Sequence, residues 1–148
     1  MDQPLPEALA TQTDDMDEIS SRDSSIHWKI RGAASKISYR LFSKYGQPKF
    51  AAEGDKDFCK FFQETYAEKM LESHLQLMFK RKTGFVGSKT LNFNIKYVST
   101  SIKIERTMAQ LKPFMESILY ETIVPIMLVT HKDVTLFNDD PIEYIRKQ

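Results

Sequence analysis

The feature that most constrains this chain is an apolar spacing of three and four residues that recurs, between glycine and proline breaks, from Ile26 to Leu128. Side chains so spaced share one side of an α-helix, whereas a half-buried strand alternates every second residue. The first run predicts a helix from about Ser25 to Tyr45, with Ile26, Ile30, Ala33, Ala34, Ile37, Leu41 and Phe42 on its inward face. Gly46 is expected to end it as a C′ residue, and Pro48 forbids continuation. A second helix is expected from roughly Asp55 to Arg81, with Phe58, Phe61, Phe62, Ala67, Met70, Leu71, Leu75 and Met78 inward. Lys80, Arg81 and Lys82 suit the negative end of its dipole, and Thr83-Gly84 breaks the run.

The third run, about Ser88 to Lys103, is rich in residues that also suit strands. Alternation fails over Lys89 to Asn94, so a helix is expected, with Leu91, Ile95, Val98 and Ile102 on one side. A fourth helix should begin near Met108 or Leu111, with Pro113 in its first turn. It carries Phe114, Ile118, Leu119, Ile123, Met127 and Leu128, and should kink at Pro125. Four helices with short connections suggest two pairs. Each pair is longer than the ~40–47 residues of a minimal HEAT or armadillo unit, which points to elongated units. The expected fold is all-α: an α-solenoid of HEAT-type antiparallel helix pairs, forming a partial repeat array.

The two ends of the chain read differently. Up to Ser25 there are seven acids against one base, Arg22, although the whole 148-residue chain carries only +1. Residues 1–25 are therefore expected to form an acidic flexible leader or inter-helix loop. Residues 26–148 should form the HEAT-repeat segment, two helix pairs plus the start of a third. That start is Phe137 to Gln148, where an Asp cap precedes Pro141 and Glu143 lies in the first turn. Tyr144 and Ile145 are expected to pack against the fourth helix. A helix this short is not stable alone in water, so the chain reads as a piece of something longer.

Catalytic signals are missing from the sequence. His27, His74 and His131 lie far apart, without the close His or Cys partner that a zinc site needs. His74 is expected to be a packed or surface histidine. Cys59, beside Phe58, Phe61 and Phe62, reads as a buried inert thiol. Gly84-Phe85-Val86-Gly87-Ser88-Lys89 has the glycines and lysine of a phosphate loop but not their spacing, so it reads as an inter-helix turn. Lys80-Arg81-Lys82 is too short for a nucleic-acid patch. No apolar run approaches the ~18 residues of a membrane span, and the acidic N-terminus resembles neither a signal nor a transit peptide. The reading implies no enzyme, cofactor, metal, membrane or direct nucleic-acid partner.

Two stretches resemble the importin-β (karyopherin-β) superfamily, in particular the branch around importins seven and eight and their fungal relatives. Arg40-Leu41-Phe42-Ser43-Lys44-Tyr45-Gly46-Gln47-Pro48 is similar to a family helix ending. Leu111 through Arg146 matches at greater length, and its acidic pair followed by Pro-x-Glu-Tyr-Ile-Arg is the more specific signature. The resemblance implies a nuclear transport receptor that binds the Ran GTPase, basic cargo proteins and Phe-Gly nucleoporins while moving between cytoplasm and nucleus through the pore. Asp139, Asp140, Glu143 and Arg146 are the residues it suggests for Ran or cargo binding. The alternative is a truncated, non-transporting helical-repeat scaffold. On either reading, a solenoid segment that exposes stacking faces is expected to be marginally stable or self-associating.

Overall fold

The computed structural model describes residues 6–13, 15–47, 49, 51–129 and 131–147. Pro48 and the side chain of His131 lie outside the described residues. All regular structure among the described residues is helical, and together the helices make a HEAT-like solenoid fragment.

The described part of the acidic N-terminal stretch includes helical structure. Helix α1, Met16–Ser24, is capped by Asp15, whose side chain accepts from the Asp17 and Glu18 N–H groups. Its Arg22 is buried beside the Phe85 ring, paired with Glu18 and the Thr11 carbonyl. Its Asp23 accepts from the Ser88 N–H at 2.8 Å, capping the start of α5, Ser88–Ser101. The acids that suggested a solvated leader include two helix caps.

Helix α2, Ile26–Tyr45, starts at its expected place, with the Ser25 hydroxyl accepting from the Trp28 N–H. The face it buries is the opposite of the expected one. Ile26, Ile30 and Ile37 are 59–64% exposed, while Trp28, Gly32, Ser35 and Phe42 are buried. These four, with Tyr39 half-buried among them, follow steps of four, three, four and three and lie along α5. Trp28 packs edge-on to Phe85, Tyr39 lies by Phe93, and Phe42 stacks on Tyr97, so contacts advance together and α2 runs parallel to α5. A Cβ on Gly32 would come within 3.3 Å of the Lys89 Cβ, so the small residue lets the two helices approach. Gly46 ends α2, as expected, in a right-handed conformation, φ −74°. Its missing side chain leaves room for the Phe42 ring, which a Cβ would meet at 2.8 Å.

The second expected helix runs through α3, Lys56–Phe62, a π turn at Gln63–Ala67, α4, Glu68–Phe79, and a 3-10 turn at Lys80–Lys82. Cys59, Phe62, Ala67, Leu71, Leu75 and Met78 are buried, but Phe58 and Phe61 are about half exposed, against expectation. In the π turn the Ala67 carbonyl accepts from the Tyr97 hydroxyl at 3.2 Å. Helix α5 buries Thr90, Asn94, Tyr97, Val98 and Ser101, while Leu91 and Ile95 are only partly covered and Ile102 is exposed. The seam thus follows the small and polar positions of both helices.

The fourth helix begins earlier than expected. It comprises α6, Glu105–Leu111, a 3-10 turn at Lys112–Phe114, α7, Met115–Ser117, a π segment at Ile118–Ile123, and α8, Val124–Met127. Pro113 is an interior residue of this run. Pro125 has no N–H to return to the preceding turn, and the helix widens into a π segment just before it. Arg81 donates to the Thr122 carbonyl within that segment at 3.4 Å. Ile118 and Leu111 are buried, but Phe114, Leu119, Met127 and Leu128 are exposed. Two short helices follow, α9, His131–Asp139, which the sequence did not announce, and α10, Pro141–Lys147.

The helices associate both within the expected pairs and between them. Helix α5 lies between α2 and α4, and α4 with α5 forms the antiparallel hairpin across the 83–87 turn. The run from α6 to α8 then covers α4. Helix α2 is a neighbour of α5 and also runs antiparallel to α3–α4, with Tyr45 beside Phe58 and Phe62 and the Ser38 hydroxyl 2.8 Å from His74 Nε2.

The two faces of α2 give a direct test. Phe42→Ala should cost about 3–5 kcal/mol, because it leaves a cavity against Tyr97. Ile37→Ala should shift stability by no more than about 0.5 kcal/mol. Urea unfolding of the two variants checks the assignment.

Candidate functional site

Asp139, Asp140, Glu143 and Arg146 come together at the α9–α10 corner. Asp139 is the last residue of α9, and Asp140 occupies the single position between the helices. The Asp140 Oδ1 accepts from the N–H groups of Ile142 at 3.1 Å and Glu143 at 2.9 Å. Its own N–H donates to the Leu136 carbonyl at 2.8 Å, closing α9, and its carbonyl accepts from the Tyr144 N–H at 3.0 Å, opening α10. Pro141 takes the first helical position, where its missing N–H leaves nothing unsatisfied. Glu143 sits in the first turn, where the dipole favours an acid. Glu143 and Arg146, three apart, are neighbours on α10.

This divides the four residues. Asp140 is a structural cap, while Asp139 and Arg146 are exposed and Glu143 is half-covered. Tyr144 stacks edge-on to Phe137 of α9 at 5.5 Å, and Ile145 is 69% exposed. The corner offers charge at a turn, with apolar Ile142 and Ile145 beside it.

The remaining chemical candidates resolve into structure. Gly84–Lys89 is a turn whose Phe85 N–H donates to the Ala10 carbonyl, and Gly87 packs under the Trp28 ring. Cys59 is fully buried, and burial pushes its thiol pKa up, away from thiolate reactivity. Among the described residues no cluster of His, Cys, Asp and Glu has the arrangement of a metal site. No helix among them is long and apolar enough to cross a membrane.

One polar constellation escaped the sequence reading because its members come from three helices. His74 Nε2 lies 2.8 Å from the Ser38 hydroxyl, and its Nδ1 lies 2.7 Å from Asn94 Oδ1. The amide oxygen can only accept, so Nδ1 carries the proton and Nε2 accepts from Ser38. The order resembles a nucleophile, a base and its orienting group. Yet His74 is only 3% exposed and its ring is stacked on Tyr97 at 4.1 Å, which leaves no room for a substrate. It ties α2, α4 and α5 together.

Against this geometry the comparisons decide the family. The Cse1 profile matches residues 50–148. The chain belongs to the Cse1/importin-β family. An importin-β-like SAD2 homolog of Arabidopsis thaliana is 33% identical over 81% of the chain and 12% of that protein. Importin-8 of Danio rerio and of Homo sapiens are each 30% identical over 95% of the chain and 13% of their own length. The chain therefore spans about an eighth of these importin-family relatives. No solved structure matches it.

Two outcomes test these roles of Asp140 and His74. Asp140→Ala should cost about 1 kcal/mol and fray α10, while Asp140→Asn retains the cap; amide exchange at Ile142 and Glu143 reads both. Burial lowers the His74 pKa below its ordinary 6.5, and only partly does the Asn94 hydrogen bond raise it. The unfolded chain then binds the extra proton first as pH falls. Stability from neutral His74 is complete above about pH 6.5 and declines below it, until the folded-state pKa is passed. Urea unfolding between pH 8 and pH 5 should show that decline, and His74→Gln should flatten it.

Proposed function

We propose that these helices act within a nucleocytoplasmic transport receptor, as a partner-binding stretch of its solenoid. The supporting observation is the 30% identity to importin-8 along 95% of the chain, in an all-helical array. Importins and their kin bind partners and do not transform them, so no enzymatic step or cofactor is invoked. By this reading the working protein moves between cytoplasm and nucleus and meets Ran, basic cargo and Phe-Gly nucleoporins.

The α9–α10 corner is the contact we assign to Ran or cargo. Exposed single ion pairs contribute at most about 1 kcal/mol, so useful affinity for a basic partner needs several charges acting at once. Asp139 and Glu143 supply acids at one turn, and Arg146 beside them adds selectivity through like-charge repulsion. Apolar Ile142 and Ile145 can add buried area around that charge.

A second reading, a helical scaffold without transport activity, is favoured by the broad apolar surface of α2 and α8, where Ile26, Ile30, Met127 and Leu128 are exposed. Binding of the chain to GTP-loaded Ran, GDP-loaded Ran and a basic cargo peptide separates the two. The transport reading expects binding of GTP-loaded Ran or the peptide. It expects Asp139→Lys with Glu143→Lys to weaken that binding by about tenfold or more, with Asp140 and its cap left in place. Unchanged affinity would remove the corner from the mechanism. Absence of all binding would favour the scaffold.

A further inference from the structure

The basic triplet Lys80-Arg81-Lys82, which has no part in the transport reading, runs directly into Thr83. Thr83 is the only serine or threonine of the 148-residue sequence with a base at each of the three positions before it. The dipole of α4 accounts for bases at its C-terminal end. It does not account for a free-standing hydroxyl placed immediately after all three. Thr83 is exposed in the turn that joins α4 to α5, and its hydroxyl donates to the Lys80 carbonyl at 3.3 Å.

The stretch before Thr83 is held by contacts that open at low cost. Lys80–Lys82 is a single 3-10 turn, whose hydrogen-bond geometry is poorer than that of an α-helix. Lys80 and Lys82 are exposed, and Lys80 is in no ion pair among the described residues. The Lys82 ammonium reaches Glu121 at 3.1 Å, an exposed pair of the kind that contributes little. Arg81 donates to the Thr122 carbonyl at 3.4 Å, a long bond, and Gln12 Nε2 donates to the Arg81 carbonyl at 2.7 Å. Three cations ahead of an accessible hydroxyl, on a turn that frays readily, are what an acid-lined cleft can grip.

We propose that Thr83 is a phosphorylation site, read through Lys80, Arg81 and Lys82 by a base-directed serine/threonine kinase. In the transfer the Thr83 oxygen attacks the γ-phosphorus of a nucleoside triphosphate that the kinase supplies. An Oγ–P bond forms, the bond from that phosphorus to the bridging oxygen breaks, and the nucleoside diphosphate leaves with the electron pair. The hydroxyl proton passes to a carboxylate of the kinase. The product carries a charge of about −1.5 to −2 beside three cations and at the negative end of the α4 dipole. The phosphate then competes with Glu121 for Lys82, which loosens the tie between the α4–α5 turn and the Ile118–Ile123 π segment. The proposal stands on this turn alone and is independent of the transport reading.

The test incubates the folded 148-residue chain with ATP and the catalytic subunit of cyclic-AMP-dependent kinase, and maps phosphate by mass spectrometry. Phosphate should appear on Thr83, and Thr83→Ala should remove it. Ser43 is the internal comparison, exposed and preceded at the third position by Arg40 but lacking the other two bases. It should be modified at least about tenfold more slowly. Lys80→Ala with Lys82→Ala should slow modification of Thr83 by about tenfold or more, with an unchanged circular dichroism spectrum because both side chains are exposed. A peptide of residues 78–90 separates recognition from access. Modification of the peptide but not of the chain would overturn the proposal, because the fold would then close the site. In the phosphorylated chain amide exchange across the π segment should quicken, and Glu121→Gln should produce the same change without phosphate. Exchange indifferent to phosphate would overturn the coupling to that segment. No phosphate on Thr83, equal modification of Ser43, or modification indifferent to the two lysines would overturn the site itself.

Discussion

The fold depends on a stack of three rings drawn from three helices. Phe42 of α2 lies on Tyr97 of α5 at 4.3 Å, and His74 of α4 lies on Tyr97 at 4.1 Å. Hydrogen bonds fix the stack in both directions: Ser38 to His74, His74 to Asn94, and Tyr97 to the Ala67 carbonyl. Aromatic contact supplies area and the polar bonds supply register, so three helices that could slide on a purely aliphatic seam are held in one arrangement. Burial of the Tyr97 hydroxyl also pushes its pKa far above the ordinary value, so it remains a donor. The cost is local. Thr90 Oγ1 and Asn94 Nδ2 are buried without a hydrogen-bond partner among the described residues, each a loss of about 1–3 kcal/mol.

Much of this was legible in the sequence, but not its inside and outside. Helices were visible because three-and-four spacing is hard to mistake over long runs, and Asp140-Pro141 announced a cap that the structure shows atom by atom. The buried face of α2 was misread because four branched aliphatics outweigh a line of Trp28, Gly32, Ser35, Tyr39 and Phe42 on any hydrophobicity count. That second line has equally regular spacing, and Thr90, Asn94, Tyr97 and Ser101 on α5 match it. Two parallel seams of small, polar and aromatic residues were the signal that the two helices face each other. Nothing local could have joined Ser38, His74 and Asn94, because their proximity exists only once three helices are packed. The α9–α10 corner was located by its cap, while the separate helix α9 was missed because its apolar positions are few.

The same geometry explains how a chain that spans about an eighth of its relatives' length can hold a defined shape. Helix α5 is buried between two neighbours and anchors the segment. Helices α2, α8 and α10, toward the ends of the array, keep broad apolar surface in contact with solvent. In a solenoid such surfaces are where successive layers meet, since each unit buries its face only against the next. Partner contacts of the kind proposed at Asp139, Glu143 and Arg146 then fall at turns between helices, where charge can be displayed without disturbing the seams.

The central claim is that α2 turns its Trp28–Phe42 line inward and its isoleucines outward. Methyl NMR of isoleucine-labelled protein with a soluble paramagnetic agent tests this most directly. The account predicts strong broadening at Ile26, Ile30 and Ile37 and little at buried Ile118. Protection of Ile30 and Ile37 to the level of Ile118 in the monomeric chain would contradict it and return the helix to the orientation its apolar count suggests.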